Sequence, residues 1–249
     1  MKEKLKGKVA IVTGASKGIG ASIALHLAEN GAAVVVNYSS SKEDAEKVVS
    51  TITQNGGKAI AIQANLFHLE DIKKLFLESF QAFGKIDILI NNAGVYEFKS
   101  IEEVSLEHYH HIFDLNVRGL LLATKEFLKY SETSGCIINI SSIASTLASA
   151  NASVYSASKA AVDAITKSLS QELGPRNIRV NSINPGMIET EGTYSTGILK
   201  SDFRKDFESH VPLGRIGIPS DVAPAVTFIA SDEASWISGE TLFITGGYR

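Results

Sequence analysis

The chain has 249 residues, 44% of them hydrophobic and 20% charged, and its 24 Lys+Arg against 27 Asp+Glu leave a formal charge of −3. That composition describes a globular protein long enough to bury a large core, and it offers no broad basic footprint for nucleic acid. No apolar run approaches the ~20 residues that cross a bilayer, and a single cysteine, Cys136, excludes an intrachain disulfide or a thiolate metal cluster.

The charged start, Met1 to Lys8, is followed by an apolar run that ends too soon for the ~7–15 residue core of a secretion signal. A cytoplasmic location without nucleic-acid or membrane partners is therefore expected. Short runs rich in Val and Ile then alternate with longer segments of helical period. Strands are expected at Val9–Thr13, Ala33–Asn37, Ala59–Gln63, Ile86–Asn91, Cys136–Ser141, Ile178–Ile183 and Thr241–Ile244, with helices near 18–30, 42–55, 69–83, 105–130, 153–173 and 220–230. Most of the runs lack polar alternation, which suits strands buried on both faces. Repeated strand–helix order predicts right-handed βαβ units, hence an α/β, doubly wound parallel sheet flanked by helices.

No repeat or linker marks a second domain, so 1–249 reads as one unit. All five prolines lie in the last third, and the stretch 187–219 lacks a clear strand while holding Gly192, Gly197, Gly214 and Gly217. A long, punctuated insertion of this kind reads as a substrate lid.

The first strand runs into Thr13-Gly14-Ala15-Ser16-Lys17-Gly18-Ile19-Gly20 and then a helix. Glycines there allow a tight turn and close approach of backbone to a pyrophosphate, and the helix N-terminus offers free N–H donors to an anion. The spacing is G-x-x-x-G-x-G rather than G-x-G-x-x-G or a Walker pattern. A structural turn is the competing explanation, and position between strand and helix favours a dinucleotide site.

Further motifs follow in order: Asn91-Asn92-Ala93-Gly94, Asn116 in Leu115-Asn116-Val117, Ser141-Ser142, Tyr155-Ser156-Ala157-Ser158-Lys159, and Pro185-Gly186 with Thr190. With the glycine loop, they make the chain resemble the short-chain dehydrogenase/reductase family along nearly its whole length. The resemblance implies a Rossmann-type domain with a seven-stranded parallel sheet and a nicotinamide cofactor. It places the catalytic tetrad on Asn116, Ser142, Tyr155 and Lys159, with Ser141 the alternative serine in a backbone-positioning role. It places cofactor contacts on Gly14, Ser16, Lys17, Gly18, Ile19, Gly20, Asn37, Tyr38, Ser39, Asn65, Leu66, Asn92, Ala93, Gly94, Tyr155, Lys159, Pro185, Gly186, Ile188 and Thr190. Substrate would meet Tyr96, Ser142, Ile143, Asn151, Tyr155, Met187 and Tyr194.

Carbonyl reduction needs a hydride on carbon and a proton on oxygen. A free tyrosine titrates near ~10; Tyr155 and Lys159 are spaced i,i+4, and a neighbouring ammonium should lower the phenol's pKa. Ser142 would steady the substrate oxygen. By resemblance Lys159 also holds the nicotinamide ribose, and Asn116 holds a water that returns the proton. An ordinary solvated Tyr/Lys pair is the bland alternative.

The second strand ends Val36-Asn37-Tyr38 and is followed by three serines, with no carboxylate to select an unphosphorylated ribose. Asn37, Ser39 and Ser40 are candidate donors to a 2′-phosphate, and Lys17 resembles the basic residue of NADP-binding members. No arginine completes the clamp, so NADP(H) is favoured and NAD(H) stays the alternative. Asn65-Leu66 stands where the family normally has Asp-Val, and Thr245-Gly246-Gly247 replaces the common Asp-Gly-Gly.

A partly apolar pocket without a positive clamp suggests a ketone or keto ester. A 3-oxoacyl-carrier-protein reductase is the nearest alternative, argued against by weak basic character at Lys129–Ser134, although Arg176 is a candidate contact. A dinucleotide-binding protein without chemistry is a third reading. His108 and His111 suggest no metal site, because no supporting carboxylate–histidine set accompanies them. Family analogy adds a homotetramer built on the long helices.

Overall fold

A computed structural model describes residues 3–131, 134–147, 149–195 and 202–248, with no side-chain description for 194, 195, 202 and 203. Seven strands form one parallel sheet: β1 Val9–Val12, β2 Ala33–Tyr38, β3 Lys58–Gln63, β4 Ile88–Asn91, β5 Gly135–Ile140, β6 Ile178–Pro185 and β7 Thr241–Ile244. Their order is β3-β2-β1-β4-β5-β6-β7. β1 pairs with β2 through Val9↔Ala33 and with β4 through Ala10↔Ile88. The chain therefore switches direction across the sheet at β1 and β4, where open α/β sheets leave a crevice beyond the strand C-termini.

Alternation along each strand divides the core in two. Ala10 and Val12 face one apolar cluster with Val34, Val36 and Ile90, packed under helices α1 (Gly18–Glu29), α2 (Lys42–Gln54) and α9 (Pro219–Ala230). Ile11 faces the other cluster with Val35, Leu89 and Ile137, under α3 (Leu69–Phe83) and α5 (Leu120–Tyr130). Phe76 and Phe127 are fully buried there, and each contributes about 1.5–3 kcal/mol of apolar burial.

The pattern read as one helix over 105–130 is interrupted. It comprises α4 (Leu106–Phe113), a π-helical turn (Asp114–Gly119) and α5. The turn places Asn116 inward, where its side chain bonds the Val95 backbone in both directions, Val95 N–H donating to Oδ1 and Nδ2 donating to Val95 O, each at 2.9 Å. α6 (Ser153–Leu173) spans 21 residues unbroken.

The predicted lid begins after β6. A single parallel bridge pairs Ile188 with Gly217 and closes its base; Gly217 N–H donates to Met187 O at 2.9 Å, and Glu189 N–H to Gly217 O at 2.8 Å. Between them lie α7 (Glu191–Ser195) and α8 (Asp202–His210), with turns after α8 leading back to the bridge. Among the described residues no helix is long and apolar enough to cross a membrane, and no group of three His, Cys, Asp or Glu side chains converges as a metal site.

Candidate active site

The glycine loop joins the ends of β1 and β4. Gly14 and Gly18 have φ of +61° and +56°, the left-handed region that glycine enters without strain. A Cβ on Gly20 would lie 2.4 Å from Gly14 O and 2.5 Å from Asn92 Nδ2, so only glycine fits. Thr13, which the sequence reading passed over, holds the junction: its Oγ1 accepts from Asn92 N–H at 2.9 Å and Ala93 N–H at 3.0 Å. Thr190 reaches over the loop from beyond β6, its Cγ2 3.3 Å from the position of a Cβ on Gly18.

The side chains of several expected cofactor contacts are engaged within the scaffold. Asn37 is 1% exposed. Its Oδ1 accepts from Gly14 N–H at 3.1 Å, while Nδ2 faces Tyr38 O, Ile62 O and Ala64 O at 3.4, 3.3 and 3.1 Å. Both amide protons are spent, so Asn37 braces the loop and is not a phosphate donor. The Tyr38 ring lies in the apolar cluster beside α2, and Leu66 lies in the opposite cluster. Asn92 Nδ2 donates to Thr13 O and Gly14 O at 2.9 and 3.0 Å. Asn65 Oδ1 closes a local turn by accepting from Phe67 N–H at 3.2 Å. Ser16, Lys17 and Ser39 retain surface access. Pro185 ends β6, and Gly186 N–H donates to Ile244 O at 2.9 Å, setting the floor below Met187 and Ile188.

Tyr155 and Lys159 share the inward face of α6. Lys159 is 7% exposed; its Nζ donates to Ile140 O at 2.9 Å and lies 5.9 Å from the Tyr155 ring centroid. Ser142, at the end of β5, accepts from Ala144 N–H at 3.1 Å and hydrogen-bonds the phenol. Ser141 instead donates to Lys159 O at 3.0 Å, a positioning role. Asn116 completes the group through Ser158: Nδ2 donates to Ser158 Oγ at 3.1 Å, and that hydroxyl donates to Tyr155 O at 2.7 Å. A Cβ on Gly94 would stand 3.1 Å from Asn116 Oδ1 and 3.6 Å from Lys159 Nζ. Glycine thus leaves open the space directly before the lysine.

The phenol's pKa does not move as the i,i+4 spacing suggested. Burial pushes it above its ordinary value, and the Ser142 hydrogen bond only partly offsets that. Burial also disfavours the Lys159 ammonium and brings its pKa down to about 8, with Asp163 opposing. The free protein therefore holds Tyr155 as the neutral phenol, the form that donates a proton.

Aromatic rings wall the space in front of Tyr155. Phe98 and Tyr96 meet its ring edge-on at 5.9 and 6.3 Å, and Phe98, absent from the sequence-based set, is 45% exposed. The Tyr96 hydroxyl is buried with no hydrogen-bond partner among the described residues. Ile143 opens the turn after Ser142. Asn151, at φ +64°, accepts from Lys99 N–H at 2.8 Å and so joins the two pocket loops. The Tyr194 side chain lies outside the described residues. His108 Nε2 meets Glu97 O at 3.3 Å whereas His111 stacks on Phe67, so the two rings serve separate contacts.

A glycine cradle at the switch point beside a buried lysine and a half-buried tyrosine and serine is the architecture of a nicotinamide-linked oxidoreductase. The chain belongs to the short-chain dehydrogenase/reductase family, whose members bind nicotinamide dinucleotides: residues 14–249 match the family model described as enoyl-(acyl carrier protein) reductase. It is 52% identical over 246 residues to an uncharacterized oxidoreductase of Methylorubrum extorquens, covering 99% of each chain. It is 39% identical to the 3-oxoacyl-[acyl-carrier-protein] reductase FabG of Staphylococcus aureus, covering 96% of this chain and 97% of that one. A short-chain dehydrogenase from Burkholderia cenocepacia, solved in complex with NADP, superimposes with a TM-score of 0.92 at 35% identity, covering 98% and 99% of the two chains.

Proposed function

We propose that this protein is an NAD(P)H-dependent carbonyl reductase acting on a ketone or keto ester, with the secondary alcohol as substrate in reverse. The observation carrying that reading is the convergence of Tyr155, Ser142 and Lys159 on a space kept open by Gly94, next to a loop that only Gly20 can complete. A nicotinamide dinucleotide held by the Gly14–Gly20 loop would supply the hydride. Tyr155 donates its phenolic proton to the carbonyl oxygen as the hydride reaches carbon, giving the alcohol and a phenolate. Ser142 hydrogen-bonds that oxygen and stabilises the charge developing on it. The Lys159 ammonium faces the phenolate left behind. The Asn116 amide is committed to Val95 and Ser158, and through Ser158 it positions the turn of α6 that carries Tyr155.

NADP(H) is the preferred cofactor in this reading. Support comes from Lys17 at the entrance to α1, from the missing carboxylate at the end of β2, and from the NADP complex of the Burkholderia relative. Exposed apolar side chains on α4 and α5, Leu106, Tyr109 and Leu121, support a homotetramer.

The FabG relative favours a second reading, reduction of a 3-oxoacyl thioester on a carrier protein. The basic groups that would greet such a partner are engaged internally: Lys129 pairs with Glu126 at 2.7 Å, and Arg176 donates to Leu128 O at 3.1 Å and Ser131 O at 3.4 Å. A panel of ketones, keto esters and acetoacetyl thioesters with NADPH and NADH decides between them. Small ketones should turn over at least as efficiently as the thioester; strong thioester preference transfers the assignment to the second reading, and no turnover removes both.

A further inference from the structure

Lys17 is the cation closest to the turn between loop and helix, and it is not free. Its backbone is extended at the entrance to α1, and its Nζ lies 2.9 Å from Asp44 Oδ2, in the first turn of α2. The other Asp44 oxygen lies 3.1 Å from Lys47 Nζ. One carboxylate thus holds both lysines. A second carboxylate stands nearby, with Glu191 Oε2 3.8 Å from the position of a Cβ on Gly18. These groups, with Ser16 and Thr190, line a cavity of about 650 Å³ beside the glycine loop.

Two lysines there face three carboxylates, since Glu189 also lines the cavity and pairs with Arg204 at 3.4 Å, so no positive charge is left over for an anion. Nor does the end of β2 compensate, since the Asn37 amide is spent within the protein. A phosphate on the adenosine ribose, which dinucleotide folds seat between the loop and the end of the second strand, would draw on Lys17. To reach it, the ammonium must leave Asp44 and the phosphate must approach that carboxylate.

We propose that Asp44 is a specificity-determining residue: it competes with the 2′-phosphate for Lys17 and keeps the preference for the phosphorylated dinucleotide narrow. The inference rests on the nicotinamide-binding reading above. Lys17 and Asp44 are 48% and 31% exposed, so their mutual attraction is weak, and the effect expected is several-fold rather than absolute.

The test is direct titration of the full chain with NADPH and with NADH, followed by nicotinamide fluorescence, for the unaltered protein, Asp44→Asn, Lys17→Gln and the double variant. Asp44→Asn should tighten NADPH about three- to tenfold and leave NADH within about twofold. In the Lys17→Gln background that gain should shrink, leaving only the relief of phosphate–carboxylate repulsion. An unchanged NADPH affinity, equal tightening of both dinucleotides, or a gain undiminished without Lys17 would overturn the competition. Failure of the unaltered protein to bind either dinucleotide would overturn the underlying reading, and this inference with it.

Discussion

Asn184 Nδ2 donates to Asp163 Oδ2 at 2.9 Å, joining β6 to α6 one turn beyond Lys159. The same amide faces Ser142 O at 3.1 Å and Ser145 Oγ at 2.9 Å, so the loop carrying Ser142 is registered against the helix carrying Tyr155. Ser182 Oγ lies 2.6 Å from Asn184 Oδ1 and 3.0 Å from Asp163 Oδ1, and its one proton serves them in turn. Asn184 and Ser182 are fully buried, where an unpaired polar group costs about 1–3 kcal/mol. Asn184→Ala should therefore lower the melting temperature and, in protein that remains folded, reduce kcat about tenfold with dinucleotide affinity retained. An unchanged kcat in steady-state assays would show that this link does not set the geometry between Ser142 and Tyr155.

Tyr155→Phe removes the proton donor while keeping the ring that packs against Tyr96 and Phe98. Reduction should fall by at least about 10²-fold, with the melting temperature and NADPH titration close to those of the unaltered chain. Ser142→Ala should also lose activity, about 10²-fold, as expected for one lost donor at a developing oxyanion. Turnover by Tyr155→Phe near the unaltered rate would move the proton transfer to another group.

The sheet and most helices were legible because unbroken Val and Ile runs can be buried only between two helical layers, as Val34–Val36 and Ile88–Ile90 are. Motif order along the chain singled out Ser142, Tyr155 and Lys159, which the fold brings near one another. Other features depend on partners distant in sequence. Nothing local to Asn37 reveals that its amide is consumed by Gly14, Ile62 and Ala64, and the helical period across 105–130 gives no sign of the π turn that aims Asn116 at Val95. Phe98 sits in a loop without periodicity, so only folding shows it against Tyr155. The direction of the phenol's shift depends on burial outweighing charge, which spacing alone does not report.

Gly20 and Gly174 make a matched pair of tests. An alanine at Gly20 would collide with backbone, at 2.4 Å from Gly14 O and 3.0 Å from Ala15 Cα. Overpacking of that kind costs about 1–3 kcal/mol, and opening the loop should weaken NADPH and NADH binding together. Gly174 has helical φ and ψ, −53° and −44°, with nothing within 4 Å of an added Cβ. Gly174→Ala should be neutral or stabilise by about 0.4–1 kcal/mol. Melting curves and dinucleotide titration read both; equal behaviour of the two variants would contradict the close packing of the loop.

Lys159 links catalysis to stability through its proton. Burial holds its pKa down to about 8 in the folded chain, Asp163 partly opposing, whereas an unfolded lysine titrates near ~10.4. Between those values the unfolded chain binds the additional proton, so this group makes stability rise with pH across the window, and its unfavourable contribution is fully present below pH 8. The size is about 3 kcal/mol at pH 7. Lys159→Met removes that contribution but leaves Ile140 O without its donor, a loss of about 1 kcal/mol. The variant should be inactive, yet melt a few degrees above the unaltered chain at pH 7, with the advantage shrinking as pH approaches 10. The raised pKa values of Tyr155 and Cys136 act with the opposite sign, above about pH 10 and about pH 8.5, but both chains share them, so the difference between the two sets of melts from pH 6 to 10 reads the lysine. A Lys159→Met chain that melts lower at every pH in that range would show that the fold carries the ammonium without penalty.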